Sequence, residues 1–140
     1  MDKKIEPRGI RNNNPLNIRK GSNWQGEKNP QTDKSFEQFE SLQYGVRAGF
    51  IILRRYMSGY NGLTEKFNTI EKIIRRWAPP SENNTKAYIE KVSKLTGIPS
   101  TLKISFSQRS YMVAIVDAMI RVECGQPIDR MIIESAYDMV

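Results

Sequence analysis

"SQRSYMVAIVDAMIRVECG", residues 107 to 125, decides how this sequence is read. Met112, Val116, Met119 and Ile120 recur at helical spacing, and at roughly 100° per residue they fall within about 80° of Met112 on the wheel. Glu123 falls about 20° from Met112, in the middle of that apolar face, whereas Asp117 and Arg121 fall outside it. The helix should start after Ser107 and stop at Gly125. It therefore carries one carboxylate toward the interior at its C-terminal end. Burial penalises the anion there, and the negative end of the helix dipole penalises it further. A carboxylic acid that keeps its proton is what glycosidic bond cleavage asks of its proton donor. The plainer reading is a frayed last turn, with Glu123 in solvent or paired with an arginine.

Helical patterns continue back toward the N-terminus. "LQYGVRAGFIILRRYMSG" follows a capping Ser41 and stops at Gly59. "NTIEKIIRRW" opens on Asn68 with Glu71 three residues later, a capping-box arrangement, and "APP" at 78 to 80 closes it. "NTKAYIEKVSKLTG" runs from near Asn84 to Gly97, and a last short helix runs from about Pro127 to Tyr137. Residues 8 to 40 differ, being rich in Asn, Gly, Gln and Pro. There "NIRKGSNWQG" and "SFEQFES" read as short strands of an irregular hairpin, with a bend where Phe36 and Phe39 break alternation. The expected fold is mainly α (α+β): one domain over residues 1–140, helical, with a small irregular β-hairpin near the N-terminus.

The 140 residues suit one core, and a hydrophobic share of 39% predicts a globular chain. The longest apolar run, around Gly49 to Leu53, is far too short for a membrane span, and Met1 to Pro7 carry no apolar signal core. Cys124 is alone, so no disulfide forms within the chain. The net charge of +7 draws the protein to polyanions: nucleic acid, acidic membrane or anionic cell-wall polymer. With no histidine, the Ser-His and common zinc-hydrolase chemistries drop out, and acid–base work falls to Asp, Glu, Lys, Tyr or Cys. No cofactor or metal is expected. Nucleic acid is disfavoured as a partner, since no helix face clusters Arg, Asn and Gln in the manner of a recognition helix.

"RGIRNNNPLNIR", residues 8 to 19, is the other unusual stretch. Asn is a poor interior residue for helix and strand, but its amide both donates and accepts, and it tolerates left-handed backbone. Asn12, Asn13, Asn14 and Asn17 can therefore cap and bend an irregular turn, or present amides to a ligand.

Together, "RGIRNNNPLNIR", "WQG", "TDKSFEQFES", "YGVRA", "RWAPPSENNTKAYIEKV" and "IRVECG" resemble a group of small phage and prophage proteins described as virion structural or lysozyme-like. The resemblance covers nearly the whole chain. Leu16 stands where that pattern has glycine, and Cys124 where it has a polar residue. More distantly, "NNNPLNIRKG", "FEQFES" and "RWAPPSENNTKAYIEKV" resemble, in that order, segments of autolysin-type glucosaminidases and lytic transglycosylases. Their catalytic Glu segment precedes the Asn-rich one. Here it is matched at the other end by "VECG", which implies a circularly permuted lysozyme-like fold.

The resemblance implies a peptidoglycan glycan-strand cleaving enzyme (muramidase, glucosaminidase or lytic transglycosylase) with Glu123 as its single general acid. Glu6 is the fallback acid, and Glu37 and Glu40 are candidate second carboxylates. Asn12, Asn13, Asn14, Asn17, Trp24, Trp77, Tyr88 and Arg11 are the candidate substrate-binding residues. It also implies peptidoglycan and other virion proteins as partners. The protein would reside in the phage particle, or in the host cytoplasm before release, and act at the cell wall. The competing expectation is a non-catalytic virion structural or wall-binding protein.

Overall fold

A computed structural model describes residues 6–59, 65–81 and 83–140, so most of the charged N-terminal stretch lies outside the described residues. Six helices form among them: α1 (Arg8–Arg11), α2 (Leu42–Ser58), α3 (Ile70–Trp77), α4 (Thr85–Thr96), α5 (Arg109–Cys124) and α6 (Arg130–Asp138). None is long and apolar enough to cross a membrane.

Helix ends follow local chemistry. Ser41 caps α2 by accepting from the Tyr44 N–H at 3.4 Å, and Gly59 ends it in left-handed backbone. The cap of α3 is Thr69 rather than Asn68: the Thr69 hydroxyl accepts from the Lys72 N–H at 3.1 Å, and Glu71 turns to Arg75 at 3.3 Å. Asn84 and Gly97 bracket α4. The last helix starts beyond Pro127 because the Asp129 carboxylate accepts from the Met131 N–H at 2.9 Å and so fixes the first turn.

The core is built around α5. Met112, Val113, Ile115, Val116, Ala118, Met119 and Ile120 are all buried, so the helix is apolar nearly all round and packs on α1, α4 and α6. Each large side chain so buried contributes about 1.5–3 kcal/mol relative to exposure. Phe50 and Leu53 of α2, Ile73 and Ile74 of α3, and Ile133 of α6 close the same cluster.

Residues 12–40 form two isolated antiparallel bridges, Arg19 with Phe36 and Glu27 with Phe39, and no strand is present among the described residues. The two segments do lie side by side, but side-chain amides take the places a ladder would fill. Asn14 Nδ2 donates to the carbonyls of Ile18 (2.9 Å) and Glu37 (3.0 Å), and its Oδ1 accepts from the Ile18 N–H at 3.0 Å. Asn13 donates to the Phe39 carbonyl at 3.0 Å, and the Gln31 amide donates to the Gln38 carbonyl at 2.8 Å and accepts from the Gln38 N–H at 2.9 Å. Asn13 and Asn17 adopt positive φ of 52° and 53°, which Asn tolerates and most residues do not.

This turn lies directly on α2. A Cβ at Gly45 would run into the Asn13 carbonyl, and one at Gly49 would strike the Leu16 side chain. The glycines of "YGVRAG" thus let an irregular backbone approach a helix closely.

Candidate functional site

Glu123, half-buried near the C-terminal end of α5, meets two partners from distant parts of the chain. The Tyr88 hydroxyl of α4 donates to its Oε2 at 2.9 Å, and Asn17 Nδ2 lies 3.3 Å from both its Oε1 and its backbone carbonyl. Tyr88 is 7% exposed. Its burial, and then the adjacent Glu123 carboxylate, hold the phenol well above its ordinary range, so it stays a donor.

The chain at Asn17 is held by packing on both sides. Gly9 of α1 leaves room that a Cβ could not share with the Asn14 carbonyl, Asn17 Oδ1 and Cys124 Sγ, all within 2.9–3.0 Å of where it would stand. The Cys124 thiol donates to the Pro15 carbonyl at 3.0 Å, tying the end of α5 to the turn. Burial, and then Glu123, push that thiol up to about 11. Leu16, 1% exposed, packs on α2. Both departures from the resembled pattern therefore serve as packing anchors beside the site.

Two grooves meet at Glu123. One, of about 620 Å³, is lined by Asn17, Arg19, Lys20, Trp24, Phe36, Arg55, Tyr56, Arg76, Trp77 and Pro79, among others. The second, of about 580 Å³, is lined by Asn84, Tyr88, Lys91, Arg121 and Gly125. Asn83 and Glu123 belong to both. Among the described residues, Glu123 is the one acid lining either groove. The arrangement suits an extended ligand laid across both grooves, with its middle at a carboxylate held by a phenol and an amide.

The structure brings Glu123, Asn17, Trp24, Trp77 and Tyr88 to this cleft. It does not bring Asn12, Asn13 or Asn14 there. Asn14 is fully buried in its three backbone bonds, and Asn13 holds the Phe39 carbonyl. Asn12 donates to Asp33 and accepts from Gln38, each at 3.0 Å. Their hydrogen bonds build the turn, and none of the three lines either groove, whereas the expectation had them face a ligand. Arg11 is exposed and lines neither groove. The alternative acids are likewise placed elsewhere: Glu6 and Glu40 are exposed, and neither lines a groove. Glu37 is 4% exposed and raised above the usual carboxylate range by burial and by Glu27, but it too stands outside both grooves. Arg8 is committed to Asp33 at 2.6 and 2.7 Å.

Sequence reasoning missed Asn83 at the junction of the grooves and Cys124 as a clamp. Cysteine's preference for buried positions was the available signal for the second. Trp24 enters the cleft from a loop held by Glu27, which accepts from its backbone N–H at 2.7 Å.

No protein-family profile matches the chain. It is 44% identical over 122 residues to Protein P5 of Pseudoalteromonas phage PM2, an alignment that covers 84% of this chain and 71% of that protein. At that identity and coverage, the chain belongs to the family of this phage protein.

Proposed function

We propose that this protein cleaves the glycan strands of peptidoglycan, with Glu123 as the proton donor and a lysozyme-like, circularly permuted arrangement of its parts. The observation that carries the reading is the position of Glu123 where two grooves meet, joined to Tyr88 and Asn17. A carboxyl group has about four lone-pair sites on its two oxygens. Tyr88 and Asn17 occupy two of them, which orients the group and leaves sites for the transferred proton. Glu123 gives its proton to the oxygen of the bond that breaks and, as carboxylate, accepts one from water or from a sugar hydroxyl in the second step. No second carboxylate lines the cleft among the described residues, which favours a route in which the substrate's own acetamido group assists. Trp24 and Trp77 offer flat apolar faces for sugar rings. The phage relative supports a particle-borne protein brought to the wall by other virion proteins.

Incubation with purified peptidoglycan, followed by mass analysis of the soluble products, tests this. New sugar ends, either reducing (hydrolysis) or anhydro (transglycosylation), are expected. Release of free peptides without new sugar ends, or no release at all, overturns the proposal. No release together with cosedimentation on the wall replaces it by a non-catalytic wall-binding role.

A further inference from the structure

The cleft has a charge pattern that proton transfer alone does not use. Six cations line it: Arg19, Lys20, Arg55 and Arg76 in the larger groove, Lys91 and Arg121 in the smaller. All six are exposed. Three are held along the wall by aromatic rings. Arg19 lies 5.1 Å from the centre of the Phe36 ring, Arg55 5.8 Å from Trp24 and Arg76 5.9 Å from Tyr56. A ring orients a guanidinium but does not neutralise it. Arg121 pairs with Asp117 at 3.4 Å, and Lys20 lies close enough to Glu37 to draw its titration down. Among the described residues no carboxylate forms an ion pair with Arg19, Arg76 or Lys91. Among the described residues, the cleft thus sets positive walls around one lining acid, Glu123.

We infer that the cleft selects an acidic glycan, one whose carboxylates hang from the sugar chain as substituents, over a neutral glycan of the same backbone. Arg19 and Arg76 are the main determinants of that choice. The inference rests on the glycan reading above. Pendant carboxylates reach the walls while the uncharged glycosidic oxygen passes Glu123. A phosphodiester polymer carries its charge on the backbone itself and brings it against Glu123, which makes nucleic acid the poorer fit. Exposed contacts of this kind are individually weak and screened by salt, so selection comes from several acting together.

The test uses purified peptidoglycan in its native form and with its free carboxylates capped as neutral amides. Binding is measured by cosedimentation with Glu123→Gln, and cleavage with the wild type. Native wall should bind roughly tenfold more tightly than capped wall at low ionic strength, and the difference should vanish in about 1 M salt. The double variant Arg19→Gln/Arg76→Gln should bring the ratio to within about twofold. Lys103→Glu changes net charge equally but lies outside both grooves, and should leave the ratio intact. Should the double variant melt early, the single variant Arg76→Gln is read instead, with a partial drop expected. Equal binding of native and capped wall overturns the inference, as does a full ratio in a folded Arg76→Gln variant. Tighter retention of oligothymidylate than of native wall, at matched ionic strength, also overturns it in favour of nucleic acid. A wild type that cleaves neither wall but keeps the tenfold ratio sinks the cleavage reading and upholds the charge selection.

Discussion

Replacing Asn14 by alanine should cost this protein a large part of its stability, although Asn14 itself lines neither groove. The Asn14 amide makes three bonds in a fully buried place: to the Ile18 carbonyl, to the Glu37 carbonyl and from the Ile18 N–H. After truncation the Ile18 carbonyl keeps the Glu37 N–H at 3.0 Å. The Ile18 N–H and the Glu37 carbonyl have no such substitute. Two buried backbone groups left unpaired, at about 1–3 kcal/mol each, give a loss of about 2–6 kcal/mol. That is a large share of the roughly 5–15 kcal/mol typical of a domain. With a urea slope of about 2 kcal/mol per molar, the unfolding midpoint should fall by at least about 1 M, read by far-UV circular dichroism. Asn17→Gly is the contrasting variant. Glycine accepts the positive φ, and what is lost are two long contacts, each of 3.3 Å, from one part-buried amide to the Glu123 carboxylate and backbone carbonyl, so stability should change by about 1 kcal/mol or less while wall cleavage falls. A midpoint for Asn14→Ala equal to that of the wild type would refute the claim that side-chain amides stand in for strand neighbours here.

Other outcomes follow from the same geometry. Gly45→Ala should destabilise by about 1–3 kcal/mol, because the new methyl forces the Asn13 carbonyl off α2; calorimetric melting checks it. Cys124, buried and raised to about 11, should resist alkylation at pH 8 in the native protein and react quickly in urea. Because an unfolded thiol ionises near 8.5, the native form binds more protons between about 8.5 and 11, so stability should fall as pH rises through that window, and Cys124→Ala should flatten the fall. Asp33 shows the opposite sign. The Arg8 guanidinium, then the backbone N–H groups of Phe36 and Ser35 and the Asn12 amide, hold its carboxyl well below the usual range. Its contribution is present above the unfolded value near 3.9 and shrinks as pH falls below it, so acid denaturation profiles of wild type and Asp33→Asn should converge in strong acid.

Much of the helical frame was legible because its ends carry local signals. Ser41, Asn84, Gly59, Gly97 and Gly125 stand at boundaries the pattern predicts. Errors arose where two candidate caps compete: Thr69 displaced Asn68, and Asp129 set a later start than Pro127. Among the described residues the expected hairpin is present only as two isolated antiparallel bridges, for a different reason. A ladder and an amide-supported turn share the same residue types, and only coordinates tell which groups fill the backbone's bonds. The wheel placed Glu123 on an inward face, and the helix indeed turns it toward α4 and the Asn turn. Which of four asparagines it would meet was not readable. Asn14 and Asn17 look alike in sequence, yet one is fully buried and the other faces the cleft.

The most direct test of the central claim is the rate at which Glu123→Gln releases soluble fragments from purified peptidoglycan, measured beside the wild type at equal folded concentration. The amide keeps the shape and both hydrogen-bonding neighbours within reach but has no proton to give. A fall of at least about 100-fold, with unchanged melting temperature and retained wall binding, is the expected result. Equal rates for the two proteins would contradict it and remove Glu123 from the chemistry.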